Sequence, residues 1–198
     1  FETNREYSSN LIEKCANLAD ELQQITGNCV PVICSLNSNS KDSSFYQEVK
    51  ELQLLFENRG IMFLPQWLPP IAWYFGGSYK IRQMNSLSAA EEISKNSLNI
   101  CLDFSHLILT CNYHNIELPF IFEILEDSIK HFHIAGAQGL DSEGTPLSSL
   151  SELELALLKI ILTKPSMKVL ERWQGHLNGF SGFVEEISTL AKLSRDFL

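Results

Sequence analysis

Three stretches of this sequence end in groups that can bind a metal ion or move a proton. Asn99-Ile-Cys101-Leu-Asp103-Phe-Ser-His106 is an apolar run that stops at a carboxylate and adds an imidazole three residues on. Lys130-His131-Phe-His133-Ile134 sets two histidines on one side of an extended segment, because strand side chains alternate with period two. Val169-Leu-Glu171-Arg-Trp173-Gln-Gly-His176 again closes on a carboxylate and follows it with a histidine. A fourth run, ending Leu64-Pro-Gln66-Trp67, offers an amide in the same place. Carboxylate oxygens combined with neutral imidazole suit Mn²⁺, Mg²⁺, Co²⁺ or Zn²⁺. Such an ion polarises a sugar carbonyl and its neighbouring hydroxyl. A carboxylate beside it can then shift the proton on the adjacent carbon. Singly, each residue has a plainer role as helix cap, packed core histidine or rim carboxylate. Their recurrence at the ends of successive runs is what points to a site.

Those ends must be positioned by a scaffold, and the rhythm of the chain supplies one. Six short apolar runs alternate with helical stretches: a stub at Phe1, then residues 30–36, 61–65, 99–104, 129–134 and 167–171. They are continuous rather than alternating, as strands buried on both faces of a parallel sheet are. Between them, Leu11, Cys15, Leu18, Leu22 and Ile25 form a helical stripe over residues 8–26 that Gly27 closes. Phe45, Val49, Leu52, Leu55 and Phe56 form another, closed by Gly60. Further helices are expected over residues 119–128, 150–162 and 183–193, and His106 is expected in the loop after residues 99–104. No Gly-rich phosphate turn follows the first complete run, where residues 37–40 read Asn-Ser-Asn-Ser. Polar groups gathered at many strand ends favour a closed (β/α)₈ barrel over an open sheet. A full barrel takes about 250 residues. The 198 residues here, opening Phe1-Glu2 without a methionine, therefore lead to an expectation of one domain spanning 1–198. It would hold about six βα units with its N-terminal strands missing and an apolar edge left open.

Composition narrows the partners. A net charge of -9 and the lack of a basic cluster argue against nucleic acid. No apolar run approaches the ~18 residues of a membrane span, and no signal peptide is evident. The five cysteines have no metal-finger spacing and read as reduced thiols of a cytoplasmic protein. Trp67, Trp73, Tyr74 and Phe75 crowd one loop, and Trp173, Phe180 and Phe183 another. Aromatic faces at a barrel mouth stack on sugar rings, and lid packing or a subunit contact in a homo-oligomer is the alternative.

At these residues the sequence resembles the xylose isomerase-like barrel family of sugar phosphate isomerases and epimerases, which includes endonuclease-IV-like proteins. The most specific phrases are Cys101-Leu-Asp103-Phe-Ser-His106, Ile129-Lys-His131-Phe-His133-Ile-Ala, Gly139-Leu-Asp-Ser-Glu143-Gly144 and Glu171-Arg-Trp-Gln-Gly-His176. The stretch from Trp67 to Gly77 is similar to the loop after the fifth strand in one branch of the family. The resemblance implies one divalent ion held by Gln66, Asp103, His133 and Glu171. It further implies Glu171 and His106 as catalytic groups. Trp67, Trp73, His131, Trp173 and His176 are expected to face a sugar substrate. The sequence departs from the family at Gln66, where a glutamate belongs, at Gly136, where an aspartate is usual, and at Ser148-Ser149-Leu150, which replaces Gly-Glu-Gly. A neutral amide can ligate an ion but cannot act as a base. This disfavours two-base epimerisation and leaves open a one-base isomerase or lyase, or a catalytically degenerate sugar-binding protein. A phosphodiesterase would need further ligands and a basic face.

Overall fold

The computed structural model describes residues 2–37, 42–74 and 77–195. Helix α1 (Glu2–Thr26) leads into strand β1 (Pro31–Cys34), helix α2 (Asp42–Glu57) and strand β2 (Met62–Pro65). An antiparallel hairpin, β3 (Ile71–Tyr74) and β4 (Gly77–Lys80), precedes α3 (Leu87–Lys95). Strand β5 (Ile100–Asp103) runs directly into α4 (Phe104–His114), and α5 (Leu118–Leu125) leads to β6 (Ile129–Ile134). A second hairpin, β7 (Gly136–Gln138) and β8 (Ser142–Thr145), then gives way to α6 (Glu152–Thr163), β9 (Met167–Leu170) and α7 (Leu177–Arg195).

Five of the six expected runs are strands, and all five are parallel. Strands β1 and β2 pair, as do β5, β6 and β9 in that order. A single parallel bridge between Gln66 and Cys101 joins the two groups. There Gln66 N–H donates to the Cys34 carbonyl and Trp67 N–H to that of Cys101, each at 2.9 Å. The spatial order β1-β2-β5-β6-β9 is the order along the chain, as successive right-handed βα units produce. Both hairpins are inserted after the C-terminal ends of parallel strands.

The core lies between these strands and the helices. Ile100 and Leu102 on β5 share one cluster with Ala90, Ile93, Leu107, Ile121 and Leu158 on α3 to α6, all with no exposed surface. All four residues of β5 are buried. Strand β9 differs from the buried run expected there. Met167 is 56% and Val169 40% exposed, because among the described residues β9 has a strand neighbour on one side only.

Two further expectations are corrected, and one falls outside the described residues. The strand expected at the start falls on Phe1, outside the described residues, and from Glu2 the chain is helical. The stripe on α1 does not face the core: Leu11, Leu18, Leu22 and Ile25 are exposed, while Ala16 and Ala19 pack on Val32, Phe56, Ile61 and Phe63. Small alanines admit close helix approach, and Arg59 fixes the rotation by binding Glu13, Asn17 and Asp20 of α1, each at 2.8 Å. His106 lies in the first turn of α4 rather than in a loop. The start of α7 is broken by left-handed Asn178, Gly179 and Phe180, and its right-handed helix follows them over the stretch where a helix was expected.

Candidate metal and proton-transfer site

Asp103 is placed by two jobs done with different oxygens. Its Oδ1 caps α4, accepting from the His106 N–H at 3.1 Å and the Ser105 hydroxyl at 2.7 Å. A cap of this kind satisfies N–H groups that the first helical turn leaves free. The carboxylate is thereby fixed with Oδ2 turned across the strand ends, 3.0 Å from Gln66 Nε2, 3.6 Å from His106 Nδ1 and 3.8 Å from His133 Nδ1.

The neighbouring strands bring the other groups to the same point. In the parallel register Asp103 lies opposite His133. His133 Nδ1 is 3.2 Å from Gln66 Nε2 and 3.3 Å from Glu171 Oε2. Glu171 follows β9, and its N–H extends the ladder by donating to the Ile134 carbonyl at 2.9 Å. One donor atom each from Asp103, His133 and Glu171 lies within 4.8 Å of the others. Beside His133, the Glu171 carboxyl is held below its ordinary range, although burial works in the opposite direction. It is therefore ionised at neutral pH.

Two oxygens and an imidazole nitrogen are a donor set that fits a divalent ion. Gln66 fits as a fourth ligand after a half-turn of its amide, which brings Oε1 inward. Ser35, whose hydroxyl now donates to Oε1 at 3.1 Å, could then accept from Nε2 instead. With Nε2 inward, the amide instead lies against Asp103 Oδ2 at 3.0 Å and His133 Nδ1 at 3.2 Å.

His106 stands at the rim of this cluster with both ring nitrogens facing acceptors. Nδ1 is 2.8 Å from the Trp67 carbonyl and Nε2 is 3.0 Å from Glu143 Oε2. Burial disfavours its charge, but Asp103, Glu143 and the Trp67 carbonyl outweigh that and raise its pKa to about 9. His106 is thus a cation, with Glu143 held below the usual carboxylate range by their hydrogen bond. A cavity of ≈ 420 Å³ opens here among Asp103, His106, Glu143, Glu171, Trp173 and Phe183.

The hairpin carrying Glu143 is tied to the strand end carrying Glu171. The Gly144 carbonyl accepts from the Trp173 N–H at 2.9 Å and from Arg172 Nη1 at 3.0 Å. Gly144 has φ +68, and a Cβ there would sit 2.9 Å from Trp173 Cβ. Behind them the buried Glu186 accepts from the Leu147 N–H and pairs with Arg172 Nε at 3.3 Å.

Several residues named from the sequence lie elsewhere. Trp67 is fully buried, its indole N–H donating to Thr110 at 3.2 Å, and it reaches the cluster only through its carbonyl. His131 is 2% exposed and lies beneath His133, with ring centres 5.3 Å apart. Trp173 lines the cavity, whereas His176 is exposed and outside its lining. The side chain of Trp73 lies outside what is described. Ser35 and Arg172 were not named as site residues, nor was Glu143, which the sequence showed only as part of a Glu-Gly turn.

No protein-family model matches the chain, and no curated protein matches it in sequence. Solved structures do match in fold. A probable 3-DHS dehydratase, AsbF, involved in petrobactin synthesis in Bacillus anthracis, superposes with a TM-score of 0.64 at 16% identity, over 92% of this chain and 70% of that one. A xylose isomerase domain-containing protein from Salmonella typhimurium LT2 superposes with a TM-score of 0.57 at 16% identity, over 98% of this chain and 70% of that one. The chain thus has a mixed α/β fold similar to the folds of these two proteins. Among the described residues no helix is long and apolar enough to cross a membrane.

Proposed function

We propose that the five parallel strands are an arc of a (β/α)₈ barrel and that the chain is a metal-dependent enzyme acting on a sugar or sugar derivative. Its reaction would be a one-base proton transfer beside a carbonyl, of the isomerase type. The observation that carries this is the convergence of Gln66, Asp103, His133 and Glu171 on one point beside a cationic His106. Those four residues would hold the ion, which when bound supplies Lewis-acid polarisation of the carbonyl and its neighbouring hydroxyl. Glu171, ionised and partly open to the cavity, takes the carbon-bound proton. The His106 imidazolium, its two N–H groups held by the Trp67 carbonyl and Glu143, stabilises through its charge the oxygen on which negative charge grows. Trp173 and Phe183 wall the cavity with apolar surface that can lie against a sugar ring. Gln66 has no ionisable group, so no second base faces Glu171. The small-molecule substrate class is supported by the fold of the neighbours and by this donor set.

A second reading rests on the amide orientation. Gln66 Nε2 hydrogen-bonds Asp103 and His133 where an ion would sit, so the cluster closes without metal. The same cavity would then bind a sugar without turning it over.

The experiment is solvent deuterium exchange at the carbon beside the carbonyl, run with Mn²⁺, Mg²⁺, Co²⁺ or Zn²⁺ across a panel of ketoses, aldoses and their phosphates. Metal-dependent exchange that falls by ~10²-fold or more in Glu171→Gln and His106→Gln supports the enzyme reading. Saturable sugar binding with no exchange and no metal dependence supports the second reading and overturns the first.

A further inference from the structure

A second donor cluster lies one side-chain layer below the mouth, and the proposed reaction leaves it unused. Cys101 and Asp103 share a face of β5, and His131 and His133 share a face of β6. The strand register sets Cys101 opposite His131 and Asp103 opposite His133, so each pair forms a layer. One donor atom each from Cys101, His131 and His133 lies within 4.8 Å of the others, and all three residues are buried. His131 adds an independent sign. Its Nε2 is fully buried and has no hydrogen-bond partner, in a residue only 2% exposed. Buried polar atoms are nearly always satisfied, so an orphan nitrogen on a ring grouped with a thiol and a second imidazole invites a ligand.

We propose that Cys101, His131 and His133 form a second metal site, selective for a thiophilic ion such as Zn²⁺ or Cd²⁺. With Zn–S about 2.3 Å and Zn–N about 2.0–2.1 Å, tetrahedral coordination sets sulfur and nitrogen about 3.6 Å apart. Shifts of roughly 1 Å reach that from the present spacing. Binding releases the Cys101 proton to solvent and leaves the thiolate as ligand. Ligand softness separates the two sites. The upper set is rich in carboxylate oxygen and suits Mn²⁺ or Mg²⁺, whereas the lower set offers sulfur and imidazole and no carboxylate. His133 is common to both.

The test is a Cd²⁺ titration of the full chain carrying Cys15→Ser and Cys29→Ser, which removes the exposed thiols. The readout is the thiolate-to-cadmium charge-transfer absorption. One thiolate-bound ion per chain is expected. Cys101→Ser should abolish the band, and His131→Gln, which keeps the thiol, should weaken binding by at least ~10-fold. Asp103→Asn should leave the band in place while weakening Mn²⁺ binding, so this site and the proposed enzyme site can fail separately. No band, or a band that survives Cys101→Ser, overturns the proposal. If Cys101→Ser does not fold by far-ultraviolet circular dichroism, unchanged affinity in His131→Gln overturns it.

Discussion

Replacing Gln66 by glutamate should make the metal-free protein less stable and its metal-bound form more so. The amide now donates to Asp103 at 3.0 Å and lies 3.2 Å from His133. A carboxylate in its place turns the first contact into two like charges. At an effective dielectric of ~20 that repulsion is about 5.5 kcal/mol before anything relaxes. Taking up a proton offers an escape. For a glutamate of ordinary pKa ~4.3, protonation at pH 7 costs about 3.7 kcal/mol, which caps the penalty. Rotation toward the Ser35 side lowers it further, and about 2 kcal/mol is the expected loss. In a chain of this length that corresponds to a melting temperature about 4–8 °C lower. An ion reverses the sign, because the added charge becomes a ligand. The assay is thermal unfolding of both forms with chelator and with saturating Mn²⁺. The reasoning is refuted if Gln66→Glu melts with the wild type in chelator, or if Mn²⁺ stabilises the variant no more than it stabilises the wild type.

Other changes test the scaffold around the site. Thr110→Val should cost about 1–3 kcal/mol, since it removes the acceptor from the buried Trp67 indole N–H; chemical denaturation reads this directly. Gly144→Ala combines a left-handed backbone with a Cβ only 2.9 Å from Trp173, so about 1–3 kcal/mol of stability should be lost. Sugar binding should weaken with it, as titration calorimetry would show. Burial raises the Glu186 carboxyl above its ordinary range, so the folded chain holds that proton to higher pH than the unfolded chain does. Its contribution to stability is therefore present at low pH and lost as pH rises through the raised value. Glu186→Gln should flatten that part of the stability–pH profile, and an unchanged slope would contradict the assignment.

The parallel strands were legible as continuous apolar runs that need no long-range information, most clearly in β2, β5 and β6, which are largely buried. The site residues shared that advantage, since strand ends fix where Asp103, His133 and Glu171 sit relative to one another. Elements whose form depends on partners far along the chain were not legible. The apolar stripe of α1 gave the helix but the wrong face, because Arg59 and the small Ala16 and Ala19 decide its rotation. Helix α4 was missed as Asp103 reads both as a strand end and as a cap, and it is both. Trp67 read as a mouth aromatic, yet Thr110 draws its indole into the core. Glu143 gained a role only when its hairpin folded back over His106, a contact 37 residues long in sequence.

Equilibrium binding of Mn²⁺, followed by the loss of its free-ion electron paramagnetic resonance signal, tests the central claim most directly. The account predicts one ion per chain, with affinity falling at least ~100-fold in Asp103→Ala and in Glu171→Ala and changing little in His176→Ala. Absence of binding by the wild type, or binding that Asp103→Ala and Glu171→Ala leave intact, would contradict a metal site at these strand ends.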